Sequence, residues 1–192
     1  MGKLVVTEFI TLDGIIEDPG GSEGTEHGGW SFRHPAPEGQ QFKGEELERA
    51  DAQLLGRVTY QGFAAGFLHR RPGGEFAKKM NAMPKYVVST TLTDATWTNT
   101  TILRGTDLAA EVTRVKDQYQ GDILVAGSAA LVHSLAELGL VDEYRLMVHP
   151  VVLGTGKRLF ASAGPDLELA ETRKGGPDVL LLIYRPAKSA AD

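Results

Sequence analysis

Cysteine is absent from the 192 residues. That excludes disulfides, thiolate metal sites and a cysteine nucleophile, and it suits a reducing compartment. Basic clusters are missing as well: 20 Lys and Arg face 25 Asp and Glu, for a net charge of −5. A nucleic-acid footprint needs clustered cations to displace counterions, so nucleic acid is not the expected partner. No run approaches the ~20 apolar residues of a membrane span. The apolar start at Leu4 is too short for a signal peptide before Glu8 interrupts it, and Val6 stands where a myristoylation signal wants Ser or Thr. The expectation is a cytoplasmic protein with a small-molecule ligand and no membrane contact.

What is present is ordinary for a globular chain, 42% hydrophobic and 23% charged, of a length that suits one domain over residues 1–192 with an ordered core of about 3–185. Strand-like runs alternate with helical ones. Lys3 to Leu12 is a strong first strand, Glu38 to Ala50 a helix, Ala52 to Leu55 a short buried strand, and Lys85 to Ser89 a third strand. Thr100 to Leu103 follows as a fourth, and then an amphipathic helix from Asp107, its cap, to Gln118. Near the end, Leu167 to Arg173 and Val179 to Arg185 flank Gly175-Gly-Pro, the pattern of an antiparallel hairpin. The predicted architecture is a mostly parallel α/β sheet with antiparallel strands at its C-terminal end. Two stretches, 17–41 and 62–79, read as long loops holding Trp30, Phe32, Phe63, Phe67, Phe76 and Arg70-Arg71. Each is either a lid, a dimer contact or a segment tucked onto the core.

The most informative segment is Ile123 to Ala126, an apolar strand that runs into Gly127-Ser128 and then at once into a helical pattern at Leu131, Val132 and Leu135. A helix that begins on a glycine turn offers unpaired N–H groups and the positive end of its dipole to an anion. A nucleotide or phosphate is therefore one expectation, and a plain βαβ crossover the other. Ser128 lacks the Gly-x-Ser-x-Gly frame of a hydrolase nucleophile. No pair among the five histidines (His27, His34, His69, His133, His149) has metal-ligand spacing beside a carboxylate, so no metal is expected, and His149-Pro150 reads as structural or a dimer contact.

Five segments taken in order carry a family resemblance. They are Thr11-Leu-Asp-Gly14, Leu54-Leu-Gly-Arg-Val-Thr-Tyr60, Met83 through Leu92, Gly127-Ser-Ala129, and Leu140 through Phe160. Together the chain resembles the dihydrofolate-reductase-like proteins related to the C-terminal reductase domain of the bacterial riboflavin-biosynthesis deaminase-reductase. The resemblance implies a three-layer fold, a homodimer, and NADPH, with NADH as the alternative, lying across the carboxyl ends of the central strands. It implies cofactor contacts at Thr11, Gly56, Arg57, Thr59, Ser89, Thr90, Gly127, Ser128 and Ala129. The family default is reduction of 5-amino-6-(5-phosphoribosylamino)uracil; a non-catalytic dinucleotide-binding protein on the same fold is the alternative. Thr90 stands where dihydrofolate reductases carry a basic residue for the 2′-phosphate, with Arg57 or Arg104 as substitutes. Ala126-Gly127 replaces their Gly-Gly pair.

Reduction of an imine or carbonyl also needs a proton, and Asp13 is the candidate catalytic group because it ends the first strand at the mouth of a glycine-rich loop. Its other reading is a turn-forming Asp-Gly. Glu8 is undecided between site and solvent. Glu45, Glu46 and Glu48 read as a charged helix face, so the helix carboxylate of dihydrofolate reductases has no counterpart.

Overall fold

The structure, a computed structural model, describes residues 1–69, 74–160 and 164–187. Eight strands form one sheet in the order β4-β3-β2-β5-β1-β6-β8-β7. The central strands are β1 (Lys3–Thr11), β2 (Ala50–Gly56) and β5 (Asp122–Val125). Beyond them lie β3 (Lys85–Val88) and β4 (Thr100–Leu103) on one side, and β6 (Glu143–His149) on the other. All six pair in parallel. The hairpin β7 (Leu167–Lys174) and β8 (Leu180–Pro186) adds two antiparallel strands beside β6. This is the expected three-layer α/β architecture of the dihydrofolate-reductase-like type. Among the described residues no helix is long and apolar enough to cross a membrane.

Period-2 alternation assigns each strand residue to a face. Leu4, Val6, Leu54, Ile123 and Val125 meet Val112 and Val115 of α4 (Leu108–Asp117) and Leu131, Val132 and Leu135 of α5 (Ala129–Glu137). On the other face, Val5, Leu55 and Leu124 meet Leu47 of α1 (Pro37–Arg49), Tyr60 and Ala64 of α2 (Arg57–His69), and Met80 of α3 (Gly74–Ala82). Asp107 caps α4 as expected, accepting from the Ala110 amide at 3.0 Å.

The stretch 62–79 is not a loop. α2 continues to His69 and α3 begins at Gly74; Arg70 and Arg71 lie outside the described residues. Tyr60, Phe63, Ala64 and Phe67 are spaced at helical intervals, and Phe67 stacks on Trp97 with centroids 5.7 Å apart. That buried stripe overrides the low helix propensity of Gly62 and Gly66. In the first long stretch, Trp30 is fully buried in a 3₁₀ turn (Trp30–Arg33), and its indole donates to the Glu17 carbonyl at 2.7 Å. Residues 18–25 wrap on the Asp18 carboxylate, which accepts from the amides of Glu23 and Thr25. The core-tucked reading holds for Trp30, whereas Phe32 is exposed.

Lys85 opens β3 with no exposed surface. Its ammonium donates to the carbonyls of Met80, Asn81 and Met83 and lies 4.4 Å from the centroid of Trp97. Burial pushes its pKa down to about 8.

The topology itself selects a place for a ligand. β2 and β5 are neighbours, yet the chain leaves β2 toward β3 and leaves β5 across β1 toward β6. The helices that follow, α2 and α5, depart on opposite faces. A crevice opens at such a switch point, beyond the strands' carboxyl ends.

Candidate active site

Two chain reversals meet at that crevice. The Ser128 hydroxyl accepts from the Gly56 amide at 2.9 Å and donates to the Thr59 hydroxyl at 2.8 Å. Glycine is required on both sides. A Cβ on Gly56 would stand 3.1 Å from Ser128 Oγ, and Gly127 has φ +59° with space closed by Thr59. The contact directs a short relay outward, from the Gly56 N–H through Ser128 O–H to Thr59, whose own O–H remains to donate. Because the Ser128 side chain points at α2, it does not cap its own helix, and α5 begins with no side-chain cap on its first amides. Two helix starts thus face one crevice with N–H groups available, and Arg57 adds an exposed guanidinium that donates to Gln61 at 2.9 Å. Gly56 contributes its small size rather than its amide, which is already taken.

Ser89 and Thr90 follow Val88, which pairs with Gly56 at the end of β2. The Ser89 hydroxyl is engaged within its own turn, accepting from the Leu92 amide at 2.9 Å and the Thr91 amide at 3.2 Å, while Thr90 is exposed. Arg104, from the segment after β4, lies on that turn and donates to the Leu92 carbonyl at 2.7 Å.

Asp13 differs from its expected catalytic part. Its carboxylate accepts from the Thr11 hydroxyl at 2.6 Å and from the amides of Gly154 at 2.7 Å and Leu153 at 3.2 Å. The Thr11 hydroxyl first, then these amides, hold its carboxyl below the usual range. An ionised group so engaged has no proton to give. It fastens the β1 turn to the Gly154 turn, and Thr11, which also accepts from the Ile15 amide at 2.9 Å, helps shape it.

Three groups near the carboxyl half of β1 were not legible as site residues. Glu46 is buried rather than on a charged face: it accepts from Thr7 Oγ1 at 2.7 Å, pairs with Lys43 at 3.3 Å, and pairs with Arg145 at 3.3 Å. The signal was its place on the buried stripe Gly39, Phe42, Glu46, Leu47. Glu8 is buried two positions beyond the Val6–Val125 pairing, and its Oε1 has no hydrogen-bond partner. Burial raises its carboxyl well above the usual range. His149, at the end of β6, is 1% exposed between Phe9 and Trp30.

Burial first, and then the nearby His34, push the His149 pKa down to about 4. The unfolded chain, with an ordinary value near 6.5, binds the proton first as pH falls, so stability drops between about pH 6.5 and pH 4. His149→Phe is expected to flatten part of that loss in melting temperatures taken from pH 7 to pH 4. An unchanged slope would show that other groups carry it.

Two concavities lie away from the crevice. One is bounded by Ile15, Thr25, His27 and Gly156. The other is an apolar hollow beside α5, bounded by Val132, Tyr144, Leu159 and Phe160.

A family model described as the RibD C-terminal domain matches residues 2–181. The chain belongs to this family. It is 29% identical over 188 residues to the uncharacterized protein YyaP of Bacillus subtilis (strain 168), covering 95% of this chain and 94% of that one. A crystal structure described as a candidate riboflavin biosynthesis protein of Shewanella sp. PV-4 superposes with a TM-score of 0.73 at 20% identity, over 97% of this chain and 99% of that one. Acinetobacter baumannii RibD superposes at 0.67 and 18% identity, over 97% of this chain but 58% of its own. At these identities the structural likeness is one of fold.

Proposed function

We propose that the protein is a reductase that binds NADPH across the β2–β5 crevice and reduces a small heterocyclic substrate, the family default being 5-amino-6-(5-phosphoribosylamino)uracil. The observation that carries the reading is the Gly56–Ser128–Thr59 junction, which joins the starts of α2 and α5 at one crevice. Membership of a family of reductases supports it. The donor set fits a dinucleotide. The first-turn amides of α2 and α5 and the Thr59 hydroxyl would hold the diphosphate, with Arg57 supplying a fixed charge. When bound, the nicotinamide supplies a hydride to an electrophilic carbon. The chain's own work is to orient the two reactants, exclude water and deliver a proton.

At the adenosine end, Arg104 lies on the Ser89–Leu92 turn and would take the part that Thr90 cannot. In a thermal-shift series with NADPH, NADH and FMN, NADPH at about 100-fold over its Kd should add about 2.7 kcal/mol, roughly 5–10 °C at this size. Arg104→Ala should weaken NADPH about tenfold more than NADH, the loss of one charge-assisted contact. No shift with either nicotinamide form would end the dinucleotide reading. The engaged state of Asp13 favours a second reading, a dinucleotide-binding protein without turnover. NADPH consumption with the pyrimidine separates the two.

The proposal includes a homodimer. Leu169 and Leu180 on the outer hairpin are about half exposed (55% and 43%), an apolar face that a second copy would cover.

A further inference from the structure

Hydride transfer to a C=N or C=O carbon pushes the π pair onto nitrogen or oxygen, and that atom must take up one proton. The inference below rests on the reductase reading and concerns where the proton comes from. Of the ionisable groups around the carboxyl half of β1, Asp13 is ionised and engaged with two amides. Glu8 is enclosed beside Gly127, and His149 is enclosed between Phe9 and Trp30. Lys43 differs. Its side chain keeps 11% of its surface while its partner Glu46 keeps 2%, so the ammonium is the outward member of the pair. It donates to the Thr7 hydroxyl and to Glu46 Oε2, and it stands 5.5 Å from the centroid of Phe9.

An ammonium has three donors, and these contacts use two of them. Thr7 and Phe9 lie on the α1 face of β1, just past the last β1–β5 pairing at Val6 and Val125, so the ammonium stands over β1 where β5 gives way to the Gly127 turn. Glu46 is held from behind by Arg145 at 3.3 Å, and Arg145 is fixed in turn by Asp122 at 2.8 Å and Glu143 at 2.7 Å. That chain of ion pairs holds the carboxylate rigid, and the carboxylate aims the lysine.

We propose that Lys43, oriented by Glu46 and Thr7, is the proton donor to the substrate's nitrogen or oxygen. The N–H bond of the ammonium breaks as the new N–H or O–H bond forms. The neutral amine left behind is reprotonated from water.

The test compares Lys43→Met and Lys43→Arg in the full chain. Arginine keeps a cation for Glu46 but does not release its proton in proteins, so a purely structural role tolerates it and a proton donor does not. With NADPH and 5-amino-6-(5-phosphoribosylamino)uracil, both variants should lose about a hundredfold in kcat. Their Kd for NADPH, read by fluorescence quenching without substrate, should stay within twofold of wild type, and Lys43→Arg should melt with it. Wild-type kcat in Lys43→Arg overturns the proton assignment alone. So does a tenfold loss of NADPH affinity in either variant, since the lysine would then serve the dinucleotide. A wild type that binds NADPH but consumes none overturns the reductase reading, and the proton donor with it.

Discussion

Gly127→Ala is expected to weaken NADPH at least tenfold and to destabilise the fold by about 1–2 kcal/mol, the penalty for an L-residue in the left-handed region. Gly127 holds φ +59°, and the added methyl would meet Thr59 Oγ1 at 2.9 Å and Thr59 Cγ2 at 3.1 Å. Thr59 is β-branched and stiff, and its hydroxyl already accepts from Ser128. It cannot swing aside without breaking the bond that joins the two helix starts. Stability and affinity should fall together, measured by thermal melting and NADPH titration. Gly62→Ala is the control: its Cβ would meet nothing within 4 Å, and alanine in a helix interior gains about 0.5–1 kcal/mol over glycine. NADPH affinity unchanged in Gly127→Ala would separate this turn from the dinucleotide.

The larger effect on stability alone is expected from Lys85→Met. Methionine fills nearly the same space, so no sizeable cavity opens. What is lost is the donor to three carbonyls, Met83 at 2.7 Å and Met80 and Asn81 at 3.1 Å, together with the contact on Trp97. A buried ion is often replaceable by an apolar residue when its partners leave with it. Here the partners are main-chain oxygens at the end of α3 and cannot leave. With each buried unpaired acceptor costing at least about 1 kcal/mol, the loss is about 3 kcal/mol, a fall of roughly 10 °C in Tm. A Lys85→Met protein that melts with wild type would show that water reaches those carbonyls.

The parts of the fold legible in the sequence were those set by backbone geometry and strand pattern. The apolar run Ile123 to Ala126 ending in Gly127 signals a strand that must turn sharply, and the Gly175-Gly-Pro interruption signals the hairpin. Residues 62–79 misled because Gly62 and Gly66 lower helix propensity, while the stripe that outweighs them is legible only once Phe67 meets Trp97. Glu46 misled in the opposite way. Between Glu45 and Glu48 it looks solvated, and its burial depends on Arg145, 99 residues later, which no local pattern announces. Asp13 was legible as a turn residue, but its donors, the amides of Leu153 and Gly154, come from the far end of the chain. In each case the missed information was a long-range contact that fixes whether a charged group is engaged or free.

The central claim is that the helix starts after β2 and β5 grip one diphosphate, and a crystal structure of the chain with NADP+ tests it most directly. Diphosphate oxygens should lie within hydrogen-bond distance of the first-turn amides of α2 and α5 and of the Thr59 hydroxyl. A dinucleotide seated instead in the apolar hollow beside α5 and Phe160, with the Gly56–Ser128 crevice unchanged, would contradict it.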